Sequence, residues 1–267
     1  MKLLLSTALL GLALPAHAHE VWVNAPAHLP AGAVLHADLA YNHDFPNPET
    51  IAADREHIFL PLQLTGAHSS RKLTQHGENY HYTSAKPLAQ GTYWVSATYR
   101  PTFWSKNDKG WQQGSLTDVA GAHYCERSEM FGKSLLVAGG GKADMAVASR
   151  AIGQTLEIVP LADPNQAATG ALFPLQVLYQ GKPLAGATVT ATADTVVEKD
   201  LAATHDHREP QAFSAKTDKA GKVNLIPLIE GLWKVKIVHK TPFADSAVCQ
   251  HSVSYATLIV PVGTQRR

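Results

Sequence analysis

Alternating apolar and polar positions dominate the chain after its first 18 residues. In residues 20–26 (EVWVNAP), Val21 and Val23 share one face. Similar short segments, rich in β-branched and aromatic residues and separated by Gly, Pro, Asn or Asp, follow at residues 33–41, 57–64 and 92–100. A period of two with these residue types is typical of β-strands. We therefore predict a β-sandwich domain over residues 19–150.

The second half has the same period with clearer turns. Residues 181–187 (GKPLAGA) and 217–221 (TDKAG) contain the Gly, Pro and Asp that tight turns favour, and each lies between alternating segments. Strands at this spacing are typical of a seven-stranded Ig-like sandwich, and the turns resemble those of prealbumin-like modules. We predict that residues 151–267 form this second domain, so that the fold class is all-β with two sandwiches.

The first 18 residues have the pattern of a secretory signal. Lys2 is followed by an apolar run, and Ala16-His17-Ala18 supplies the small residues that a signal peptidase recognises. The run is too short for a membrane-spanning helix. We expect cleavage after Ala18, a periplasmic protein that is not embedded in the membrane, and His19 as its first residue.

Charge excludes several partners. Lys2 is the one charged residue among the first 18, so the rest of the chain has 22 Lys and Arg against 22 Asp and Glu. The chain has no basic stripe that would indicate nucleic-acid binding, and no polybasic segment that would indicate binding to anionic lipid.

The two cysteines, Cys125 and Cys249, form an even pair in a chain that we expect to be exported. In an oxidising compartment such a pair usually forms a disulfide. The alternative is two separate thiols, one of them a soft metal ligand.

The 14 histidines are the main candidates for chemistry. An N-terminal His19 could chelate a metal through its α-amine and ring, because an α-amine loses its proton near pH 8. His43 precedes Asp44 in a proline-stiffened loop, and His239 follows an apolar strand. His205 and His207 form a His-x-His pair of the kind that chelates borderline metals. Each of these could instead be an ordinary loop or core histidine.

Several enzyme motifs are missing. The Gly-Lys-Ser at 132–134 is not a P-loop, because position 127 is Arg127 rather than the glycine that the motif needs. G-x-S-x-G, H-E-x-x-H and C-x-x-C are also missing. The aromatic segment 99–111 is either a glycan- or partner-binding surface or a loop pinned to its own domain by its tryptophans.

Motifs along nearly the whole chain carry a resemblance to a known family. They include H-x-x-W-V at residue 19, HDFP-x-P-E at 43, YCERSEMFGKSLL at 124 and GLWKVKIVHKTP at 231. The chain resembles a bacterial periplasmic family of unknown function that is associated with nickel and cobalt uptake. The match places His19, Trp22, His43, Lys133 and His239 at family positions.

The resemblance implies a periplasmic protein, not an enzyme, that binds and delivers a divalent transition metal. Nickel or cobalt is favoured over zinc or copper, and the partner would be a metal transporter or an outer-membrane receptor. Two alternatives stay open: a copper monooxygenase with a histidine-brace site, and an interaction or glycan-binding module without a metal.

Overall fold

The structure is a computed structural model that describes residues 19–43, 45–199 and 209–263. It confirms the all-β prediction. The described strands are β1 (Glu20–Asn24), β2 (His28–Leu29), β3 (His36–Asn42), β4 (Phe59–Thr65), β5 (Ser70–Lys72), β6 (Thr74–Gln75), β7 (His81–Thr83), β8 (Gly91–Asn107), β9 (Gly110–Gln113), β10 (Tyr124–Ala138), β11 (Leu156–Pro160), β12 (Phe173–Tyr179), β13 (Lys182–Pro183), β14 (Thr188–Ala193), β15 (Phe213–Lys216), β16 (Lys222–Leu225), β17 (Gly231–Pro242) and β18 (His251–Val262). The short helices are α1 (Met145–Ala148), α2 (Asp194–Val197) and two 3-10 turns, Glu56–Ile58 and Pro164–Gln166.

A ten-stranded sheet runs through both halves of the chain. Its strand order is β15-β14-β17-β18-β10-β8-β4-β5, with β2 beside β10 and β9 beside β8. At its centre β10 and β18 are parallel, from the pair Glu126 and His251 to the pair Ser134 and Ile259. The predicted domain boundary near residue 150 falls between β10 and β11 in sequence, while this sheet joins strands from both sides of it.

Two four-stranded sheets supply the remaining described strands, and each packs on the large sheet to form its own core. One has the order β1-β3-β7-β6, and the other contains β11, β12, β13 and β16. Successive side chains of a strand point to opposite faces. Met130 and Leu136 of β10 accordingly lie in the core with β1 and β3, whereas Phe131 and Leu135 lie in the core with β11 and β12.

Strand β1 lies unusually close to the large sheet. A Cβ atom added at Gly132 would be 2.9 Å from the Cα of Trp22, so only glycine fits under β1 there. The Thr257 hydroxyl also donates a hydrogen bond to the Val21 carbonyl oxygen at 2.7 Å. Gly132 of the Gly-Lys-Ser segment therefore has a packing role that holds β1, and with it the residue that precedes β1.

The predicted disulfide is confirmed. Cys125 and Cys249 are bonded, with their Cα atoms 5.0 Å apart, and both are fully buried. The bond ties the start of β10 to the segment before β18.

Candidate functional site

The strand register brings two of the predicted histidines together. Strands β1 and β3 are antiparallel, and Glu20 pairs with Asn42. His19 directly precedes β1 and His43 directly follows β3, so both lie at the same end of this pair. Their ring centroids are 4.0 Å apart with an angle of 43° between the planes. The His19 ring also stacks on Tyr41 at 4.8 Å.

The histidine pair borders a pocket of about 210 Å³. Most of its other lining side chains are aromatic or lie on β10, and the full set is His19, Tyr41, His43, Arg55, Tyr99, Trp104, Trp111, Glu126, Ser128 and Met130. A small apolar pocket with a few polar groups is the usual form of a ligand site. Trp104 and Trp111 belong to the aromatic segment 99–111, which therefore forms one wall of the pocket.

Arg55, Tyr41 and Tyr99 add polar groups to this aromatic wall. The Arg55 guanidinium lies 5.3 Å from the centre of the Trp104 ring, and the Trp104 indole N–H donates to the Tyr99 hydroxyl. Burial raises the pKa of Tyr41 and of Tyr99 above the ordinary value of a phenol. Both tyrosines therefore stay neutral at physiological pH.

Glu126 supplies the carboxylate of the pocket. The Tyr124 hydroxyl donates to its Oε1 atom, and the Lys240 ammonium donates to the same atom at 3.1 Å. Burial acts to lower the pKa of Lys240, but the hydrogen bonds to Tyr124 and Glu126 outweigh it and raise that pKa. The neighbouring disulfide at Cys125 holds this end of β10 in place.

A buried ion-pair network anchors the residue that follows His19. Glu20 is paired with Lys234 at 2.8 Å and also with Lys236, and Glu209 pairs with both lysines. The Lys234 ammonium lies 5.1 Å from the Trp22 ring centre.

The two lysines of this network set the pKa of Glu20. Burial would raise the pKa of Glu20, but the charges and hydrogen bonds of Lys234 and Lys236 outweigh it and lower this pKa from 4.5 to about 2. Burial would similarly lower the pKa of Lys234, yet Glu20 and Glu209 raise it. The network stays charged at neutral pH and fixes the start of β1.

The other predicted histidines do not line this pocket within the described residues. His239 packs against Tyr179 of β12, with ring centroids 4.4 Å apart, and burial lowers its pKa. Side chains of β17 point alternately to its two faces, so His239 lies on the face opposite to that of Lys234, Lys236 and Lys240. His205, His207 and Asp44 lie outside the described residues.

Lys133 is buried on the far face of β10. Its ammonium donates to Glu157 at 2.6 Å and lies 4.6 Å from the centre of the Trp94 ring. Backbone amides of Ile152 and Gly153 also donate to the Glu157 carboxylate. Lys133 therefore forms a structural ion pair with Glu157 in the core that β10 shares with β11 and β12.

Five residues of the pocket were not candidates from the sequence, namely Tyr41, Arg55, Glu126, Ser128 and Met130. Glu126, Ser128 and Met130 occur at a spacing of two in the segment ERSEM, so they share one face of β10. That spacing was the signal that could have grouped them. The position of Arg55 depends on its loop and carries no local signal.

A family model matches residues 16–241, which is most of the sequence, and its description is a domain of unknown function, DUF4198. The chain belongs to the DUF4198 family. Because the function of this family is unknown, membership assigns no activity to the chain. No curated protein matches it.

Among solved structures, the DUF4198 protein is similar to trypsin-activated alpha-2-macroglobulin from Escherichia coli. The identity is 12%, and the match covers 92% of this chain but 16% of the macroglobulin, with a TM-score of 0.20. So weak a likeness supports no statement about function. None of the helices in the described ranges has the length and hydrophobicity needed to span a bilayer.

Proposed function

We propose that this protein binds a divalent transition metal in the periplasm through the N-terminal end of the mature chain. The observation that carries the proposal is the 4.0 Å separation of the His19 and His43 ring centroids beside a small pocket. Within the described residues no group of three or more His, Cys, Asp or Glu side chains could hold a metal. Tight binding at this site therefore needs a donor from the protein besides the two imidazoles.

Cleavage after Ala18 would supply that donor. It would convert the amide nitrogen of His19 into an α-amine, which can chelate together with the ring of the same residue. The imidazole of His43 would add a third nitrogen. The ion pairs of Glu20 would hold this chain end against β17, so that little conformational entropy is lost on binding.

The identity of the metal is proposed from the chemistry of the ligands and from the family resemblance. Imidazole and amine nitrogens suit nickel, cobalt, copper and zinc, and the intrinsic order of affinity favours copper. The family resemblance favours nickel or cobalt, and delivery would then be to a metal transporter or an outer-membrane receptor. The thioether of Met130 in the same pocket lining is a soft group that favours copper.

The experiment compares the mature chain that begins at His19 with a form that carries one extra glycine before it. Calorimetric titration with Ni²⁺, Co²⁺, Cu²⁺ and Zn²⁺ is done on both forms and on His43→Ala, with the exposed His68→Ala as the matched control. We expect the glycine extension and His43→Ala each to weaken binding at least about tenfold, because even the loss of a group that only orients a metal ligand costs about 10–100-fold. Equal affinity in the two forms would refute the proposal.

The aromatic wall favours a second candidate function. Tyr41, Tyr99, Trp104 and Trp111 lie next to the histidine pair, which suits an organic ligand such as a sugar ring. With copper bound, the protein would then be a monooxygenase with a histidine-brace site. Without an organic substrate, two electrons from ascorbate and two protons would reduce O₂ to H₂O₂ at such a site. Peroxide release above that of the Gly-extended control would support this enzyme, whereas suppressed release would support a carrier.

A further inference from the structure

A second pair of histidines lies at the other end of the β1–β3 ladder. His36 and Asp38 are on β3, and His81 is on the neighbouring strand β7, opposite Asp38. The Nδ1 atom of His81 is 2.7 Å from Oδ1 of Asp38, and its Nε2 atom is 3.1 Å from Nδ1 of His36. None of these residues belongs to the pocket beside His19.

The contact with Asp38 sets the tautomer of His81. A carboxylate accepts hydrogen bonds, so the proton of a neutral His81 ring lies on Nδ1 and is donated to Asp38. The Nε2 atom of His81 then presents its lone pair toward His36. Histidines that bind metals usually have this arrangement, with the second ring nitrogen donating to a carboxylate.

The distance between the two facing nitrogens also suits a shared metal ion. With bonds of about 2.0–2.1 Å, two adjacent nitrogen ligands lie about 2.9–3.4 Å apart in square-planar or tetrahedral geometry. The observed 3.1 Å lies within that range. With the His81 Nε2 atom as acceptor, a neutral His36 ring donates from Nδ1. To bind a metal through Nδ1, His36 would take the other tautomer, with its proton on Nε2.

The surroundings leave room for the remaining ligands. His36, Asp38 and His81 border a pocket of about 260 Å³, whose wall also includes the polar side chains of Asn24 and Ser134. The side chains of His81 and Asp38 are 28% and 27% exposed, so water can reach the site. Two protein nitrogens with water in the other positions form a site for Zn²⁺ or Cu²⁺ rather than for the hard ions Mg²⁺ and Ca²⁺.

We propose that His36 and His81 form a second transition-metal site, for Zn²⁺ or Cu²⁺, in which Asp38 is a positioning residue that orients His81. The site is independent of the N-terminal one. Asp38 pairs with Asn24, whereas Asn42, next to His43, pairs with Glu20. These two pairs are four residues apart along the strands, which is a distance of about 14 Å at the rise per residue of a strand.

The test uses the form with the extra glycine before His19, in which the N-terminal α-amine cannot chelate with the His19 ring. Calorimetric titration with Zn²⁺ is done on this parent, on His36→Gln, on His81→Gln and on the control His68→Gln. We expect the two site variants to weaken Zn²⁺ binding at least about tenfold and the control to leave it unchanged. Circular dichroism checks that each variant is folded.

Asp38→Asn separates orientation from ligation. Its expected effect is a weakening of about 10–100-fold, with Co²⁺ still giving a visible absorption spectrum of nitrogen ligation. No Zn²⁺ binding to the parent would overturn the proposal. So would His36→Gln and His81→Gln variants that bind Zn²⁺ as tightly as the parent does. Failure of the N-terminal site would appear separately, as no difference between the authentic and the Gly-extended chain.

Discussion

Glu20→Gln tests whether the buried ion pairs anchor the start of the mature chain. The substitution keeps the shape of the side chain but removes its charge from Lys234 and Lys236. The pKa of Glu20 is lowered from 4.5 to about 2. At about 1.4 kcal/mol per pH unit, this difference corresponds to about 3 kcal/mol of folding stability at neutral pH.

The sign of the pH dependence follows from the direction of this change. A carboxyl group with a lowered pKa in the folded state contributes fully above its unfolded pKa of 4.5, and the contribution is lost as the pH falls toward 2. We therefore expect the wild type to exceed Glu20→Gln in unfolding free energy by about 3 kcal/mol at pH 7. The gap should narrow below about pH 4.5 and close near pH 2.

The assay is guanidinium unfolding followed by tryptophan fluorescence, with the disulfide intact, at several values between pH 7 and pH 2.5. Glu49→Gln is the matched control, because Glu49 is exposed and should show no such gap. A gap that stays constant with pH, or no gap at pH 7, would refute this account of the network.

Three further predictions concern residues that hold the layers together. Gly132→Ala should destabilise the protein by about 1–3 kcal/mol, because its Cβ would press on the backbone of β1, and a neutral result in chemical unfolding would contradict that close approach. Lys133→Met should cost about 3–5 kcal/mol in the same assay, since it leaves the buried Glu157 carboxylate without its cation, whereas an unchanged unfolding midpoint would show that the pair is dispensable. Replacing both Cys125 and Cys249 by serine removes a link across 124 residues and should lower the unfolding free energy by about 4–5 kcal/mol, and a wild-type midpoint would argue against the chain-entropy account.

The β class and the disulfide could be predicted from the sequence because their signals are local or compositional. In segments such as residues 20–26, apolar and polar residues alternate because successive side chains of a strand face the core and the solvent in turn, so the pattern can be read from the segment alone. The pairing of Cys125 with Cys249 followed from there being two cysteines in a chain expected to be exported.

The candidate site depended on register and layer packing, which no local pattern encodes. His19 and His43 were single candidates in sequence, and the antiparallel pairing of Glu20 with Asn42 makes them neighbours. His239 is a candidate of the same kind, yet alternation along β17 turns it toward Tyr179 and the other core.

The sequence by itself determined a β protein with one cysteine pair and a histidine next to a predicted cleavage site. Only the tertiary structure decided which histidines meet, that Lys133 is a buried partner of Glu157, and that a single large sheet joins both halves. The physical reason is that residue type sets the local periodicity of a strand. Contacts between strands far apart in sequence are instead selected by the packing of the whole core.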